Sequence, residues 1–486
     1  MSNSFRSDEP KEHTFTDVGK VRYTPLYLQV KDVLLKRITN NVYQRGEAIP
    51  SEATLAREFG ASVSTIRQAL ALLAADGVLV KKQGKGTYVS EQKTTLRFFS
   101  WMSEKEPGKA ILLRTIERFE QKYPMCVIEI LPNSFQTAKE DLVHLIASGN
   151  APDIVQIMTH WTSYFAAMGA LECLDGLLSQ ENVNSRFYEQ DLYGGLFQNK
   201  LYSVSWGLGP FALIANKNML REVGVTFLDS PMTLDVFWAV CQQIDQFYQE
   251  KEKYSYALSR SSDKEADFLM LYGFLQAFHG GFTNEAGDII FDSTANVAAF
   301  TWLREFVKNC RIFTSDLHTI RERFAHNDIA FISDGPWIKY VMENLTGREF
   351  EQDFTVVLNP VHGDTPSFSW NCNLGLAICS QSPYKAYSAK FIEALTHDPE
   401  IVRDFSWRTG ILPARKHELD TPDYHTEFFE PYTQQLEHAV CINAQHAMFT
   451  KAMHFCADAA RRILYEQVDI GQELREKTYY LNLLYH

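Results

Sequence analysis

Residues 50–89 read PSEATLAREFGASVSTIRQALALLAADGVLVKKQGKGTYV, and this stretch decides the fold of the first part of the chain. Ser51 or Glu52 can cap a first short helix, and Ser62 or Ser64 can cap a second. A glycine follows each helical pattern, as is typical of a helix C-terminus. Apolar residues at helical spacing predict one buried face on the second helix. Its open face is predicted to carry Ser64, Thr65, Arg67 and Gln68.

A basic hairpin follows the two helices. Residues 78–80 and 87–89 are predicted strands, and KKQGKG (81–86) is the tip between them. The glycines of the tip let the backbone approach a phosphate closely, and its lysines supply positive charge. On its own, such a hairpin would be an ordinary solvated turn. Directly behind two helices of this length, it predicts a winged helix-turn-helix, which places one helix in the major groove of DNA.

Residues 24–89 resemble the DNA-binding domain of the GntR family of bacterial transcription regulators. The resemblance rests on the motifs Pro25-Leu26-Tyr27, Pro50-Ser51-Glu52, Phe59-Gly60, Thr65-Ile66-Arg67, Gly77 and Gly84-Lys85-Gly86-Thr87-Tyr88-Val89. It implies binding to operator DNA through Ser62, Ser64, Thr65, Arg67, Gln68, Lys82, Lys85 and Gly86. Ala53 and Val63 replace two arginines of the family pattern, whereas Arg67 keeps its family position. A relative's operator sequence is therefore not expected to transfer.

Charge is divided unevenly along the 486 residues, a length that predicts two or three domains. Residues 1–92 carry 13 Lys and Arg against 10 Asp and Glu, whereas residues 93–486 carry 34 against 50. Residues 1–92, called the head below, are basic, and residues 93–486, called the body, are acidic. This division predicts that only the head touches nucleic acid. The expected organisation is a disordered leader (1–20), a winged helix-turn-helix domain (21–90), a polar linker (91–95) and a ligand-sensing domain (96–486).

The composition favours a cytoplasmic protein without a cofactor or a metal. The polar N-terminus has no apolar run of signal-peptide length, and no stretch approaches 18 uninterrupted apolar residues, so no membrane contact is expected. The eight cysteines are scattered without a C-x-x-C pair. This spacing argues against a zinc site and favours reduced, buried thiols.

The second domain begins with alternating strands and helices. Strands are predicted at 96–101, 127–131 and 154–158, with a helix starting at Pro107 and another at 138–148 between them. This order indicates a parallel sheet with covering helices. Ligands bind beyond the carboxyl ends of such strands, which here are followed by residues 133–135 and 159–161.

Residues 95–470 resemble the extracellular solute-binding proteins of sugar transporters. The resemblance rests on a series of segments in one order: 151–155, 169–175, 201–204, 214–217, 334–337 and 410–414. It implies an α/β fold of two lobes, like that of periplasmic binding proteins, which closes by a hinge over a ligand. The signal peptide and lipid-anchor cysteine usual in that family are missing, which favours an intracellular sensor over a transport component.

Tryptophans beside polar residues favour a carbohydrate ligand, because sugars need flat aromatic platforms and hydrogen-bonding groups. Trp206 is expected in a glycine-rich loop at 206–210, and any one of these tryptophans could instead be packing. Trp337 is the strongest candidate, because the Gly-Pro-Trp position of the family often stacks on sugar. The candidate ligand-binding residues are Thr159, His160, Trp161, Trp206, Asp334, Trp337, Trp370, Asn371, Asn373 and Arg408.

The sequence thus predicts a ligand-responsive transcription regulator, not an enzyme, that binds a palindromic operator as a homodimer. One alternative is a regulator with a domain like pyridoxal-phosphate aminotransferases. No P-loop, nucleophile elbow or His-Glu-x-x-His motif is present, and no lysine lies in a setting typical of that cofactor. A second alternative is an interaction scaffold, which predicts no stabilisation by small molecules.

Overall fold

The computed structural model divides into two compact units by its contacts. The first unit comprises Met1–Leu96, Glu120–Ile128 and Pro383–Lys390, and the second comprises Arg97–Phe119, Glu129–Ser382 and Phe391–His486. The predicted leader, the helix start at Pro107 and the thiol of Cys441 lie outside the described residues. The structure describes residues 25–39, 42–75, 77–104, 106, 108–124, 126–178, 194–226, 228–284, 287–440 and 446–485.

Three helices form the core of the first unit: α1 (Leu26–Thr39), α2 (Glu52–Glu58) and α3 (Val63–Ala75). Both α1 and α2 pack against α3. The hydroxyl of Ser51 caps α2 by accepting from the amide of Thr54 at 3.2 Å, as the sequence predicts. The buried apolar side chains of these helices are Val30, Leu34, Leu35, Ile38, Leu55, Ile66, Ala69, Leu70 and Leu73.

A two-stranded hairpin completes the winged helix-turn-helix. Strand β1 (Leu79–Lys82) pairs antiparallel with β2 (Gly86–Val89). The two lysines at 81 and 82, which the sequence placed in the tip, are therefore part of a strand. Gly84 and Gly86 have φ of 70° and 111°, conformations that favour glycine.

The linker is shorter than the predicted 91–95, because strand β3 (Thr94–Ser100) already includes Thr94 and Thr95. The loop before α2 also makes a contact beyond the winged helix, since the Arg45 guanidinium donates to the Pro124 carbonyl at 3.0 Å. Both residues belong to the first unit. This bond joins the winged helix to the segment Glu120–Ile128 within the first unit.

The first lobe is organised on a six-stranded sheet with the order β16-β8-β15-β5-β3-β4. The new strands are β4 (Cys126–Pro132), β5 (Ile154–Met158), β8 (Ser203–Leu208), β15 (Leu374–Ile378) and β16 (Leu412–Pro413). Strand β3 pairs parallel with β5, as predicted. The sheet as a whole is mixed, because β15, for which the sequence predicts no direction, runs antiparallel to both β5 and β8.

The second lobe has a five-stranded sheet with the order β11-β10-β12-β9-β13. Its strands are β9 (Ala212–Asn216), β10 (Tyr254–Ser259), β11 (Ile312–Ser315), β12 (Ile329–Asp334) and β13 (Phe354–Val357). The short strands outside both sheets are β6 (Leu196–Phe197), β7 (Lys200–Leu201), β14 (Ser369–Trp370) and β17 (Ala439–Val440).

Helices cover both sheets. On the first-lobe side they are α4 (Gly108–Lys122), α5 (Ala138–Ala147), α6 (Thr162–Ala167), α14 (Lys385–His397), α15 (Pro399–Thr409) and α16 (Lys416–Leu419). The others are α7 (Lys217–Val223), α8 (Leu234–Phe247), α9 (Lys264–Ala277), α10 (Thr294–Asn309), α11 (Leu317–Ala325), α12 (Ile338–Thr346), α13 (Phe350–Asp353), α17 (Phe429–Glu437), α18 (Phe449–Tyr465) and α19 (Ile470–Tyr485). None of these helices has the length and apolar character needed to cross a membrane, within the part of the chain that is described.

The chain crosses between the lobes at Gly209–Phe211, which joins β8 to β9, and it returns between β13 and β15. The result is a mixed α/β fold of two lobes with crossing segments, like that of periplasmic binding proteins. This confirms the predicted fold class. The residues after the strand ends of the first lobe, the crossing segments and the residues after β12 lie where the two lobes meet, and this region is called the cleft below.

Candidate functional site

The predicted recognition surface of the first unit is the outer face of α3 and the residue before it. Ser62, Ser64, Arg67 and Gln68 are exposed, and Thr65 is half-buried. The Ser62 hydroxyl accepts from the Thr65 amide at 3.1 Å, so Ser62 rather than Ser64 caps the helix. Exposed polar groups on a helix with a packed opposite face are free to meet DNA.

Arg67 is held in place by a neighbouring carboxylate. Its Nε and Nη2 donate to the same oxygen of Glu52, Oε2, at 3.1 and 2.9 Å. The Arg67 side chain is nevertheless 61% exposed. An exposed pair of this kind is weak and can exchange its carboxylate for a phosphate or a base edge.

The hairpin presents a second basic surface. Lys81, Lys82 and Lys85 are exposed, and the Lys82 ammonium lies 4.5 Å from the centre of the Tyr88 ring. The Tyr88 hydroxyl donates to the carbonyl of Lys85 at 3.1 Å, which steadies the turn. Gly86 sits at the end of this turn, as predicted.

The floor of the cleft in the second unit is made of the two crossing segments. The Cys372 amide donates to the Gly209 carbonyl at 2.9 Å, and the Asn373 side chain accepts from the Gly209 amide at 3.3 Å. The Thr159 amide donates to the Asn373 carbonyl at 3.0 Å. Trp370 stacks on Phe211 with ring centres 5.6 Å apart. Thr159, Trp370, Asn371 and Asn373 are all buried.

On the second-lobe side, Trp337 is fixed by Asp334. The indole Nε1 donates to Asp334 Oδ1 at 2.7 Å, and the ring packs edge-on against Phe211 at 5.7 Å. A Cβ at Gly209 or Gly335 would collide with the indole ring, so both glycines are needed to seat it. Trp337 keeps partial exposure. It is therefore a rigid aromatic surface beside the cleft.

Asp334 itself is fully occupied by protein groups. Arg321 donates to it through Nε at 2.7 Å and Nη2 at 2.8 Å, and the Gly335 amide adds a further bond. Burial lowers the pKa of Arg321, but the adjacent Asp334 carboxylate outweighs this and raises it above the usual value. Asp334 is thus a support for Trp337 and Arg321 more than an open group for a ligand.

On the first-lobe side, three aromatic rings meet beyond the ends of β3, β4 and β5. Trp101, Phe135 and Trp161 lie with ring centres 5.4 to 6.3 Å apart. Phe135 and Trp161 are nearly parallel, with 16° between their planes. The strand-end rule thus places an aromatic surface where the sequence predicts one. Among the described residues, the buried amide of Asn133 and the indole Nε1 of Trp161 have no hydrogen-bond partner.

A buried charged cluster adjoins these rings. The Glu265 carboxylate on α9 lies 3.2 Å from His160 Nε2 and 3.7 Å from Lys139 Nζ. Lys139 Nζ also lies 5.2 Å from the centre of the Trp161 ring and donates to Thr450 Oγ1 at 2.7 Å. Burial raises the pKa of Glu265, but His160 and Lys139 outweigh it and lower the pKa to about 2.

Two of the predicted ligand-binding residues, Trp206 and Arg408, lie in the first lobe but away from the cleft. The expected loop around Trp206 is wrong, because Trp206 lies within β8, is 3% exposed, and stacks on Phe405 at 4.4 Å. Arg408 lies on α15 and pairs with Asp404, one helical turn away, at 3.1 Å. Trp206 is thus part of the first-lobe core, and Arg408 lies on the exposed face of a half-buried helix.

Sequence reasoning missed several residues of the cleft. Trp101 follows the end of β3, so the rule that singled out Thr159–Trp161 could have found it. Lys139, Glu265, Arg321 and Tyr340 carry no such signal. They reach the cleft from helices. Burial is the main cause that raises the pKa of Tyr340, against the opposing effect of Arg321.

Comparison with known proteins assigns the two parts of the chain. Residues 114–429 match the model of the family described as bacterial extracellular solute-binding protein, and residues 26–89 match that of bacterial regulatory proteins, gntR family. A probable fructoselysine utilization operon transcriptional repressor from Escherichia coli is 48% identical over 68 residues, which are 14% of this chain and 28% of that protein. A histidine utilization repressor from Pseudomonas putida is 45% identical over 69 residues, again 14% and 28%. The chain thus spans little more than a quarter of the length of these curated relatives.

Solved structures match the larger part. A solute-binding protein from Thermotoga lettingae, bound with α-D-tagatose, matches with a TM-score of 0.72 and 20% identity over 81% of this chain and 100% of its own. The GacH receptor of Streptomyces glaucescens gives 0.71 and 18% over 81% and 99%. At this identity the likeness shows the fold alone. With the family match over most of its length, the chain belongs to the bacterial extracellular solute-binding protein family and carries a gntR-family regulatory domain at residues 26–89.

Proposed function

We propose that the chain is a cytoplasmic transcription regulator that binds operator DNA through its winged helix and senses a carbohydrate in its two-lobed domain. It acts as a homodimer on a palindromic operator, and it is not an enzyme. The observation that carries the proposal is the union in one chain of an exposed recognition helix and a cleft lined by fixed aromatic rings.

The DNA contacts are assigned to groups that are exposed and positioned. Ser62, Ser64, Thr65, Arg67 and Gln68 face outward from α3 or its cap, and Lys82, Lys85 and Gly86 line the wing. The lysines contact phosphates and supply affinity that falls with salt. Arg67 is the one side chain of the helix with the bidentate geometry that distinguishes guanine. With Ala53 and Val63 replacing family arginines, Arg67 and the wing carry more of the binding.

The ligand contacts are assigned to the cleft. Trp337 on one wall and Trp161 on the other offer flat apolar faces, and Trp370 extends the floor. A sugar presents apolar C–H faces to such rings and hydroxyls to the polar groups between them. Thr159, His160, Asn371 and Asn373 lie at this floor and first-lobe wall. Trp206 and Arg408, by their positions, are not assigned to the ligand.

Ligand and operator are coupled by lobe closure. A ligand that bridges both walls stabilises the closed arrangement, and it changes operator affinity only if the closed and open arrangements bind DNA differently. Since β3 follows the wing after a few residues, a change in the body reaches the head through a short connection.

A screen of the full-length protein against monosaccharides and oligosaccharides, including D-tagatose and maltose, tests the ligand half. At least one sugar should raise the melting temperature, because a ligand that binds only the folded state stabilises it by an amount that grows with the logarithm of its concentration above Kd. An operator selected from random duplexes then tests the DNA half, with and without that sugar. If no sugar shifts the melting temperature, the scaffold alternative is favoured. The aminotransferase-like alternative is already excluded by the solute-binding fold of this part of the chain.

A further inference from the structure

The charged cluster around Glu265 spans the two lobes. Glu265 is at the start of α9, which follows strand β10 of the second-lobe sheet and packs on it. Its partners come from the first lobe, where Lys139 lies on α5 and His160 follows β5. The two ion pairs, at 3.7 and 3.2 Å, therefore cross the cleft.

Burial makes this contact costlier to break than a surface ion pair. The side chains of Glu265, His160 and Lys139 are 9%, 11% and 17% exposed. Charges removed from water depend on their partners, and separating such groups leaves each uncompensated. Nearby titratable groups are Asp263 on the same turn and His454 on α18.

The same cluster holds the first-lobe aromatic surface. Lys139 Nζ lies 5.2 Å from the ring centre of Trp161 and 5.1 Å from that of Tyr164. The His160 ring lies 6.0 Å from Trp161 and 5.5 Å from Trp370. A shift of Lys139 or His160 therefore moves the edge of the predicted sugar platform.

We propose that Glu265 is a positioning residue of the ligand cleft, which pairs across the lobes with Lys139 and His160 and thereby holds the cleft closed and Trp161 in place. It acts through these two side chains and supplies no ligand contact itself. The role of the cleft in sugar binding rests on the proposed function, but the cross-lobe contact does not.

The test compares Glu265→Gln with Asp458→Asn in the full-length protein without ligand. Asp458 pairs with Lys264, the residue before Glu265, at 2.8 Å, but that pair is about 40% exposed. It is therefore a control for loss of an ion pair made by the same helix, because Asp458 lies on α18 whereas Lys139 lies on α5. Backbone hydrogen exchange is measured for residues 159–164 and 264–270, together with the radius of gyration by X-ray scattering.

Glu265→Gln should speed exchange in both segments by at least about tenfold and increase the radius of gyration, because the open state becomes more populated. Asp458→Asn should change neither. Equal exchange and an equal radius in Glu265→Gln and the parent would overturn the proposal.

A second pair of variants covers the case in which Glu265→Gln folds poorly. Lys139→Met removes the cation, and the double variant Lys139→Met/Glu265→Gln should open no further than the stronger single variant, because both changes remove one contact. Strictly additive effects would contradict a cross-lobe pair.

With any sugar that stabilises the parent, the apparent Kd should rise by the factor by which the closed population falls. If no sugar stabilises the parent, the proposed function fails, while the ligand-free exchange still decides the role of Glu265.

Discussion

Two arginine–carboxylate pairs show how differently the head and the body of this chain use the same chemistry. Arg67 meets Glu52 at the surface of the recognition helix, with 61% and 29% of the side chains exposed. Arg321 meets Asp334 inside the second lobe, with 20% and 2% exposed. The first pair is screened by water and can be exchanged for DNA, whereas the second is a fixed support because each charge depends on the other. The head thus exposes its charged groups, whereas in the body Asp334 and Lys139 contact the rings of Trp337 and Trp161.

The largest effect is expected for Asp334→Ala. It leaves the Arg321 guanidinium buried without its carboxylate and releases the Trp337 indole, so unfolding free energy should fall by about 3–5 kcal/mol. Urea unfolding followed by circular dichroism measures this. Glu52→Ala, which breaks the exposed pair, is the control and should change stability little. Similar losses in both variants would erase the distinction between the two pairs.

The pH dependence of the free energy of unfolding tests a second buried carboxylate of the body, Glu265. Its pKa is lowered to about 2 in the folded protein, so its ion pairs stabilise the fold fully above the unfolded pKa near 4.5. That stability is lost as the pH falls from about 4.5 towards 2, and it amounts to about 3 kcal/mol. Unfolding free energies at pH 6 and pH 3 should therefore differ less in Glu265→Gln than in the parent protein. An equal pH dependence in both would contradict the assignment.

Trp337→Ala tests the aromatic wall of the body. Loss of the ring should weaken binding of a stabilising sugar on the order of tenfold, while operator binding without sugar stays the same. Trp337→Phe keeps a flat ring but loses the bond to Asp334, so its sugar affinity should lie between those of Trp337→Ala and the parent protein. Isothermal titration calorimetry measures the sugar, and fluorescence anisotropy measures the DNA. Unchanged sugar affinity in Trp337→Ala would remove this residue from the site.

The smallest and most selective effect is expected in the head. Arg67→Ala should weaken binding to the selected operator and relax its sequence preference, whereas Lys85→Ala should weaken binding to all duplexes and reduce the salt slope by about one. Both variants should keep the stability of the parent because both side chains are exposed. An Arg67→Ala protein with the same isotherms at every salt concentration would show that Arg67 does not touch DNA.

The difference between head and body also explains which residues could be predicted. The side chains of the recognition helix lie within one short segment, and the periodicity of that segment separates the buried from the open face. Trp161 and His160 were found because they follow a strand end. Trp206 was misplaced because an apolar strand with a glycine resembles a loop in sequence, and only its pairing within the sheet shows that it is core.

By itself, the sequence determined the two parts of this protein, the faces of the recognition helix and the positions of most strands, because these depend on local patterns of apolar and turn residues. The tertiary structure decided which side chains meet across the cleft. Glu265 is 126 residues from Lys139 along the chain, and Arg321 is on a different element from Trp337. Such contacts depend on how two sheets and their helices pack. The spacing of residues along the chain does not encode how close two side chains come in the folded protein. The same packing decides that Asp334 supports Trp337 from within the lobe, while Arg67 stays in reach of DNA.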